Sequence, residues 1–348
     1  MPTVQARKLC PQAAFLPGDM AKYRRVSREI RDVFDSISSA VEPLSLDEAF
    51  IDITGSTRLL GAPLEIGRLL KQRVRDGIGL AVSVGIGPGK MVAKIASDCS
   101  KPDGLLEVAA DGVRAFLAPL PVGRLWGVGP VTQRALAEAG ITTIGSLATT
   151  SRAVLVRRIG ARAADHLLAL ASGEDTRDVE PDRDAKSYGE ENTFGSDVVD
   201  PAIVRAAIVE HAEAVARRLR RERVLARTVV LKLKLAISLG AGRFPLLTRQ
   251  ATLREPTADG ALIAAAALQL WETHRPDAAL RLVGVTAAGI VDGHGEQLAL
   301  FTDGRSRKST ALNEALDTIV DRFGAASIHR GTGASPKLAP TTRLKRGE

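Results

Sequence analysis

Cysteine is nearly absent from this chain of 348 residues: Cys10 and Cys99 are the only two. That excludes a disulfide framework and leaves too few thiols for a structural zinc site. Aromatic residues make up only 3%, which argues against base stacking as a main contact, since single-strand binders rely on it. The five histidines are scattered without ligand spacing, so no transition-metal site is indicated. No apolar run reaches the roughly 18 residues that a membrane span needs. The stretch from Met1 to Lys8 has no apolar signal core, which argues against secretion and for the cytoplasm.

What is abundant is positive charge. The net charge is +8 and the isoelectric point about 9.8, which points to a polyanionic partner. With so few aromatics, a protein that tracks a duplex backbone fits better than a single-strand binder. Membrane-surface binding also uses positive charge, but no basic helix with a strongly apolar opposite face is evident. Hydrophobic residues at 45% and charged residues at 25% are those of a folded chain. Its length implies about two to three domains.

The chain is organised around the stretch Val41 to Ile53, where two short apolar runs flank the adjacent acids Asp47 and Glu48. In a regular strand neighbouring side chains point to opposite faces, so both acids cannot serve one site. If the runs form a hairpin, both carboxylates converge at its tip. Two carboxylates on a rigid strand end, completed by a phosphate ligand, suit Mg²⁺, which keeps waters and wants few protein oxygens. Taken alone, the pair fits a solvated turn better, since most acids are simply exposed.

Upstream, residues 1–40 read as helices broken at Pro11 and at Pro17-Gly18, with Val26, Ile30, Val33 and Phe34 on one helical face. Downstream, Gly61 to Asp76 reads as an amphipathic helix and Leu80 to Ile86 as a buried strand. The glycines and lysine of Gly85 to Lys90 invite a phosphate-loop reading, which fails. Val84 stands where the first glycine belongs, and Met91 where Ser or Thr should follow the lysine. In the next helix Lys90 and Lys94 share a face, with Lys101 further on before Pro102. Such a row can reach phosphates as point charges, or simply meet water.

Leu125 to Pro130 is followed by a helix at 131–139, a stop at Gly140 and a second helix from Thr143. A turn through Gly127 and Gly129 exposes backbone N–H groups where a DNA phosphate can bind without base contact, although an ordinary αα-hairpin reads the same. Residues 171–186 show no apolar period and read as a linker. Beyond lies a β-α-β-β-α-β unit, a ferredoxin-like split module. Val229, Leu231, Leu233 and Leu235 line one face of a strand, while Thr228, Val230, Lys232 and Lys234 line the other. Thr248, Gln250, Thr252 and Arg254 alternate in the same way. Gln297 to Phe301, a helix at 310–322 and a tail at 331–348 complete the chain.

These pieces, in this order, resemble the Y-family, DinB-type translesion DNA polymerases. The resemblance rests on Ser45 to Phe50, Ser83 to Gly87, Lys94 to Ser97, Lys101 to Gly104 and Leu125 to Gly129. Lys186-Ser187, Glu191 to Phe194 and Arg281 to Val285 carry it onward, to about residue 324. It implies an α+β multidomain fold shaped like a right hand. Residues 1–19 would be a remnant of the fingers, 20–108 a partial palm, 109–172 a helix-hairpin-helix thumb, 173–185 a linker and 186–292 the little finger. Residues 293–348 would carry a clamp-binding peptide, a helix and a disordered tail.

The implied reaction is template-directed extension of a primer by deoxynucleoside triphosphates, with two Mg²⁺ ions in the working site. Asp47 and Glu48 would hold the metal, and Lys101 would contact the triphosphate. Gly127, Gly129, Lys90, Lys94, Lys232, Lys234 and Arg254 would meet primer-template DNA. Gln297, Leu298, Leu300 and Phe301 would dock on the sliding clamp, the two leucines and the phenylalanine as anchors and the Gln amide fixing register. The implied protein is a monomer with no membrane association.

One departure accompanies the match. The family pattern opens with a strand carrying Asp-x-Asp-x-Phe-Phe and continues to a Tyr-x-x-Arg stretch, and this sequence contains neither. Against the length expected of the family, roughly fifty to sixty residues precede the point matched by Met1. The expectation is a start codon upstream of Met1. The rivals are a truncated product that only binds DNA and the clamp, or an unstable fragment.

Overall fold

The computed structural model describes residues 3–182, 184–240, 242–293, 304–324 and 327–328. Packing divides the chain into two units: Pro17–Arg183, and Met1–Leu16 with Asp184–Glu348. The clamp-peptide residues Gln297, Leu298, Leu300 and Phe301, and the tail at 331–348, lie outside the described residues. Among the described residues, no helix is long and apolar enough to cross a membrane.

In the first unit the Met20–Asp35 helix starts at Asp19, whose carboxylate accepts the Lys22 N–H at 3.0 Å. Its Val33 and Phe34 pack on a core of Ile37, Ile66, Leu70 and Val74, so the apolar period lands on one face. Strands β1 (Val41–Pro43) and β2 (Ala49–Ile51) form an antiparallel hairpin, with Glu42 opposite Phe50. The next long helix is Pro63–Ile78, two residues later than expected at its start. Gly61 instead ends the Thr57–Leu60 turn of helix at a φ of 95°, and Pro63 supplies the first-turn residue that needs no N–H.

The expected strand at Leu80 to Ile86 shrinks to β3 (Val84–Ile86), which runs parallel to β4 (Leu105–Glu107). Leu80 is exposed, and the Val82 carbonyl accepts from Lys71 Nζ at 2.6 Å, which occupies it away from any ladder. Between β3 and β4 runs the Lys90–Cys99 helix. A Cβ on Gly85 would stand 2.0 Å from the Ala93 carbonyl oxygen. Gly85 thus lets strand and helix touch, a packing role consistent with the rejected phosphate loop.

The helices of 113–171 share one core with this element. Met91, Val92, Ile95 and Ala96 are buried with Leu117, Leu136, Ile144, Leu155 and Leu167. Val108, the last residue before the expected boundary, belongs to this core. The Pro130–Ala137 and Ile144–Thr149 helices stand where expected, the second capped by the Thr143 hydroxyl, which accepts from the Ser146 N–H at 3.1 Å.

Among the described residues, the second unit has four long strands, β5 (Ser187–Val198), β6 (Val224–Leu235), β7 (Leu246–Thr257) and β8 (Leu280–Asp292). Their spatial order is β5-β8-β6-β7, with every neighbouring pair antiparallel. Each strand–helix–strand unit is therefore split: β8 stands between β5 and β6, and β6 between β7 and β8. The Pro201–Arg221 and Gly260–His274 helices cover one face, burying Val229, Leu231 and Leu233 of β6 and Val283 and Val285 of β8. Alternate positions therefore face away from this core, as expected. The last described helix, Gly304–Phe323, starts earlier than the expected 310. It is tied to the Pro201–Arg221 helix by Arg220, which lies 2.6 Å from Asp317, and by Arg217, which pairs with Asp321.

Candidate functional site

The acid pair sits in the turn of the β1–β2 hairpin. Leu44 and Ser45 N–H both donate to the Glu48 carbonyl, at 2.9 and 3.2 Å, which closes the turn. Ser45 Oγ donates to Asp47 at 2.6 Å. Asp47 is exposed and Glu48 half-exposed, so the two carboxylates leave the hairpin tip toward solvent. The turn solves the problem that a straight strand would pose for neighbouring acids.

The facing surface is the Lys90–Cys99 helix. Lys94 Nζ lies 3.2 Å from both carboxylate oxygens of Glu48. One turn on, Asp98 accepts from Lys101 Nζ at 2.8 Å. Burial works against the charged form of Asp98. The Lys101 hydrogen bond and charge, aided by Lys94 and Arg124, nevertheless hold its carboxyl below the usual carboxylate range. Lys101 is pushed above the usual lysine range by that hydrogen bond and by Asp98's charge, then by Glu48 and Asp47. Two lysines and three carboxylates thus form one mutually neutralising cluster.

Lys90 departs from expectation. It does share a helix face with Lys94, but that face turns toward the hairpin, and Lys90 is buried in an ion pair with buried Glu42 of β1. A lysine enclosed in this way cannot reach DNA phosphates, and Lys94 is turned toward Glu48. The expected basic row is a clamp on the acid hairpin. The Lys101–Pro102 turn is held from the Pro63–Ile78 helix, where Lys71 donates to Asp103 at 2.6 Å and Arg75 pairs with the same carboxylate.

Beside the cluster opens a cleft of about 530 Å³ lined by Met91, Lys94, Asp98, Arg124, Trp126 and Gly127, among others. Its far wall is the expected glycine turn. Gly127 has a φ of 94°, a conformation that only glycine adopts without strain. Gly129 precedes the Pro130–Ala137 helix, and both glycines are exposed. Trp126 packs on Phe50 of β2, with ring centroids 5.9 Å apart, and the Arg177 guanidinium covers it at 4.6 Å.

Residues 171–186, expected to be a linker, carry contacts that sequence reasoning missed. Asp175 accepts the Met91 N–H at 2.8 Å and pairs with Arg177 at 2.6 Å, while the Glu180 N–H donates to Glu42 at 2.9 Å. The one signal in the sequence was Glu42 itself, a charge set in an apolar run.

In the second unit Lys232 and Lys234 lie on β6 opposite Gly284 and Leu282 of β8, on the face away from the helices. Lys232 reaches across Gly284 to Glu191 of β5 at 2.7 Å. Arg254 is exposed on β7.

The carboxylate pair has the hard-oxygen chemistry that Mg²⁺ takes, at an exposed tip open to water and to a phosphate ligand. Among the described residues, no group of three or more His, Cys, Asp or Glu could hold a metal ion. Asp47 and Glu48 are thus a pair that suits an ion sharing its shell with a substrate, not a closed cage.

Comparison with known proteins matches three family models. Residues 1–98 match the impB/mucB/samB family, residues 185–300 its C-terminal domain and residues 110–141 its helix-hairpin-helix motif. The DNA polymerase IV of Desulfatibacillum aliphaticivorans is 42% identical over 331 residues, covering 94% of this chain and 82% of that protein. That of Moorella thermoacetica is 39% identical, covering 95% and 82%. Among solved structures, a Y-family DNA polymerase chimera, Dbh-Dpo4(243-245)-Dbh, superposes with a TM-score of 0.70 at 24% identity, covering 84% of this chain and 83% of its own.

Proposed function

This chain belongs to the impB/mucB/samB family, the Y-family DinB-type DNA polymerases, and we propose that Asp47 and Glu48 hold the divalent cations at which it extends a primer. Its activity is that of an error-prone, translesion DNA-directed DNA polymerase. The bond that forms joins the primer 3′-oxygen to the α-phosphorus, and the bond that breaks releases pyrophosphate. The observation that carries the assignment is the hairpin turn, which brings both carboxylates to one exposed tip facing Lys94.

Two Mg²⁺ ions, when bound, supply activation of the attacking hydroxyl and stabilisation of the leaving oxygen. Lys101, whose charged form is favoured by the Asp98 hydrogen bond and charge and then by Glu48 and Asp47, binds the triphosphate. Glu48, which now faces Lys94, would hold the cation together with Asp47. Residues 20–108 act as palm and 109–172 as thumb. The exposed Gly127–Gly129 turn takes a phosphate of the duplex, while Lys234 and Arg254 of the little finger at 186–292 follow its backbone. Gln297, Leu298, Leu300 and Phe301 dock on the sliding clamp, and the protein works as a monomer in the cytoplasm.

The test is primer extension with Mg²⁺ and all four deoxynucleotides, alongside the product of any in-frame upstream start. Template-dependent extension that disappears in Asp47→Ala is the expected result. DNA binding without extension by either product would replace this reading with a DNA-binding module.

A further inference from the structure

Two buried charges meet beneath the acid hairpin, and neither touches the reacting groups. Glu42, on β1, pairs with Lys90 from the first turn of the facing helix, and both are less than a tenth exposed. A buried pair adds little net stability, because desolvation offsets the attraction, but losing either partner leaves an uncompensated charge. What such a pair supplies is a fixed relative position. Lys90 also lies 5.5 Å from the centroid of Phe50, the residue opposite Glu42 in the hairpin.

The same carboxylate receives a second donor, the Glu180 N–H, from a stretch whose composition reads as a spacer. Five residues earlier Asp175, with its side chain 2% exposed, accepts from the Met91 N–H at the start of the same helix. Arg177 grips Asp175 through two nitrogens, at 2.6 and 2.8 Å, and covers Trp126. Trp126 in turn packs on Phe50. The contacts close a ring: hairpin, helix, strap, glycine turn and hairpin again.

We propose that residues 175–180 are a strap, in which Asp175, Arg177 and the Glu180 amide, anchored on the Glu42–Lys90 pair, fix the acid hairpin relative to the Trp126 turn. The inference rests on the polymerase reading for its catalytic consequence, though not for the strap itself. Asp175, Arg177, Glu42 and Lys90 are positioning residues. They set how far the metal-holding tip stands from the turn that grips the duplex, and a misplacement of about 1 Å at a reacting centre costs up to about a hundredfold in rate.

The experiment compares the full chain with Arg177→Ala, Arg177→Lys and Glu42→Gln. Hydrogen exchange should quicken together in peptides covering 42–50, 91–95 and 175–180 in Arg177→Ala and Glu42→Gln, with the 187–292 sheet unchanged. In primer extension, kcat should fall about tenfold or more while nucleotide KM and primer-template affinity stay within about twofold. Arg177→Lys, which keeps a cation over Trp126, should recover part of the loss. Faster exchange confined to 175–180, or a kcat equal to that of the unaltered chain, would overturn the strap. Should the unaltered chain extend no primer, the functional reading falls and the exchange pattern alone decides the strap.

Discussion

The ammonium of Lys94 sits 3.2 Å from each carboxylate oxygen of Glu48. A lysine in that position competes with any divalent cation for the same oxygens, and its charge repels the incoming ion. Lys94→Met should therefore tighten divalent-cation binding to the DNA-free chain by about fivefold, the worth of one partly exposed charge at this range. Titration with Mn²⁺ followed by paramagnetic relaxation measures it, and Glu48→Gln should weaken binding in the same assay. Equal affinity of Lys94→Met and the unaltered chain would mean that Lys94 does not compete with the ion, and an unchanged Glu48→Gln that Glu48 is not a ligand.

Gly85 is held against the Lys90–Cys99 helix so closely that a Cβ would meet the Ala93 oxygen at 2.0 Å and the Ser97 nitrogen at 2.1 Å. Backbone cannot step aside as a flexible side chain can. Gly85→Ala should cost about 2 kcal/mol or more, in the upper range of overpacking. It should also reduce primer extension, because the displaced helix carries Lys90, the partner that holds Glu42 of the acid hairpin. Gly77 has nothing within 4 Å of its added Cβ, so Gly77→Ala is the control that should melt no lower than the parent.

Acid should loosen the strap. The Asp175 side chain is buried, which by itself opposes ionisation, yet the Arg177 and Met91 hydrogen bonds bring its pKa below the ordinary 3.8. A carboxyl whose folded pKa is depressed contributes stability that is fully present above that ordinary value. The contribution is lost as pH falls through the lower, folded value. Denaturant midpoints measured across this acid range should therefore drop less steeply in Asp175→Asn than in the parent, while near neutrality Asp175→Asn should be the less stable protein.

The little-finger sheet should bind duplex DNA electrostatically, with unequal shares. Lys232 is already paired with Glu191, whereas Lys234 and Arg254 are not given to that partner. Every phosphate that a side chain ceases to neutralise reduces the slope of log affinity against log salt by about one. Lys234→Ala and Arg254→Ala should each do so, and Lys232→Ala by less. Fluorescence anisotropy with labelled primer-template between low and physiological salt decides this, and three equal slopes would refute it.

The legibility of this protein in its sequence differs by region. The second unit was readable because its strands are long and bury one face under two helices, so period and burial agree from Val229 to Leu233. The hairpin around Asp47 and Glu48 was readable for a different reason: only a turn lets adjacent acids share a site. Leu80 to Ile86 misled because continuous apolarity says nothing about pairing, and the Val82 carbonyl is taken by a lysine from another helix. Lys90 misled because spacing shows which residues share a face, but not what that face meets. Asp175 to Glu180 left no signal of its own beyond Glu42: its contacts use the Asp175–Arg177 pair and the backbone N–H groups of Met91 and Glu180, none of which leaves a period.

The order β5-β8-β6-β7 constrains how the second unit can assemble. Among the described strands of this unit, the last to leave the ribosome is an interior one, flanked by the first and the second. Until Asp292 has cleared the exit tunnel, β5 has no neighbour and β6 lacks one of its two. The unit therefore cannot assemble progressively as it is made. It must hold an open seam for most of its synthesis and close it in a single late insertion, which makes translation speed near the β8 codons a determinant of yield.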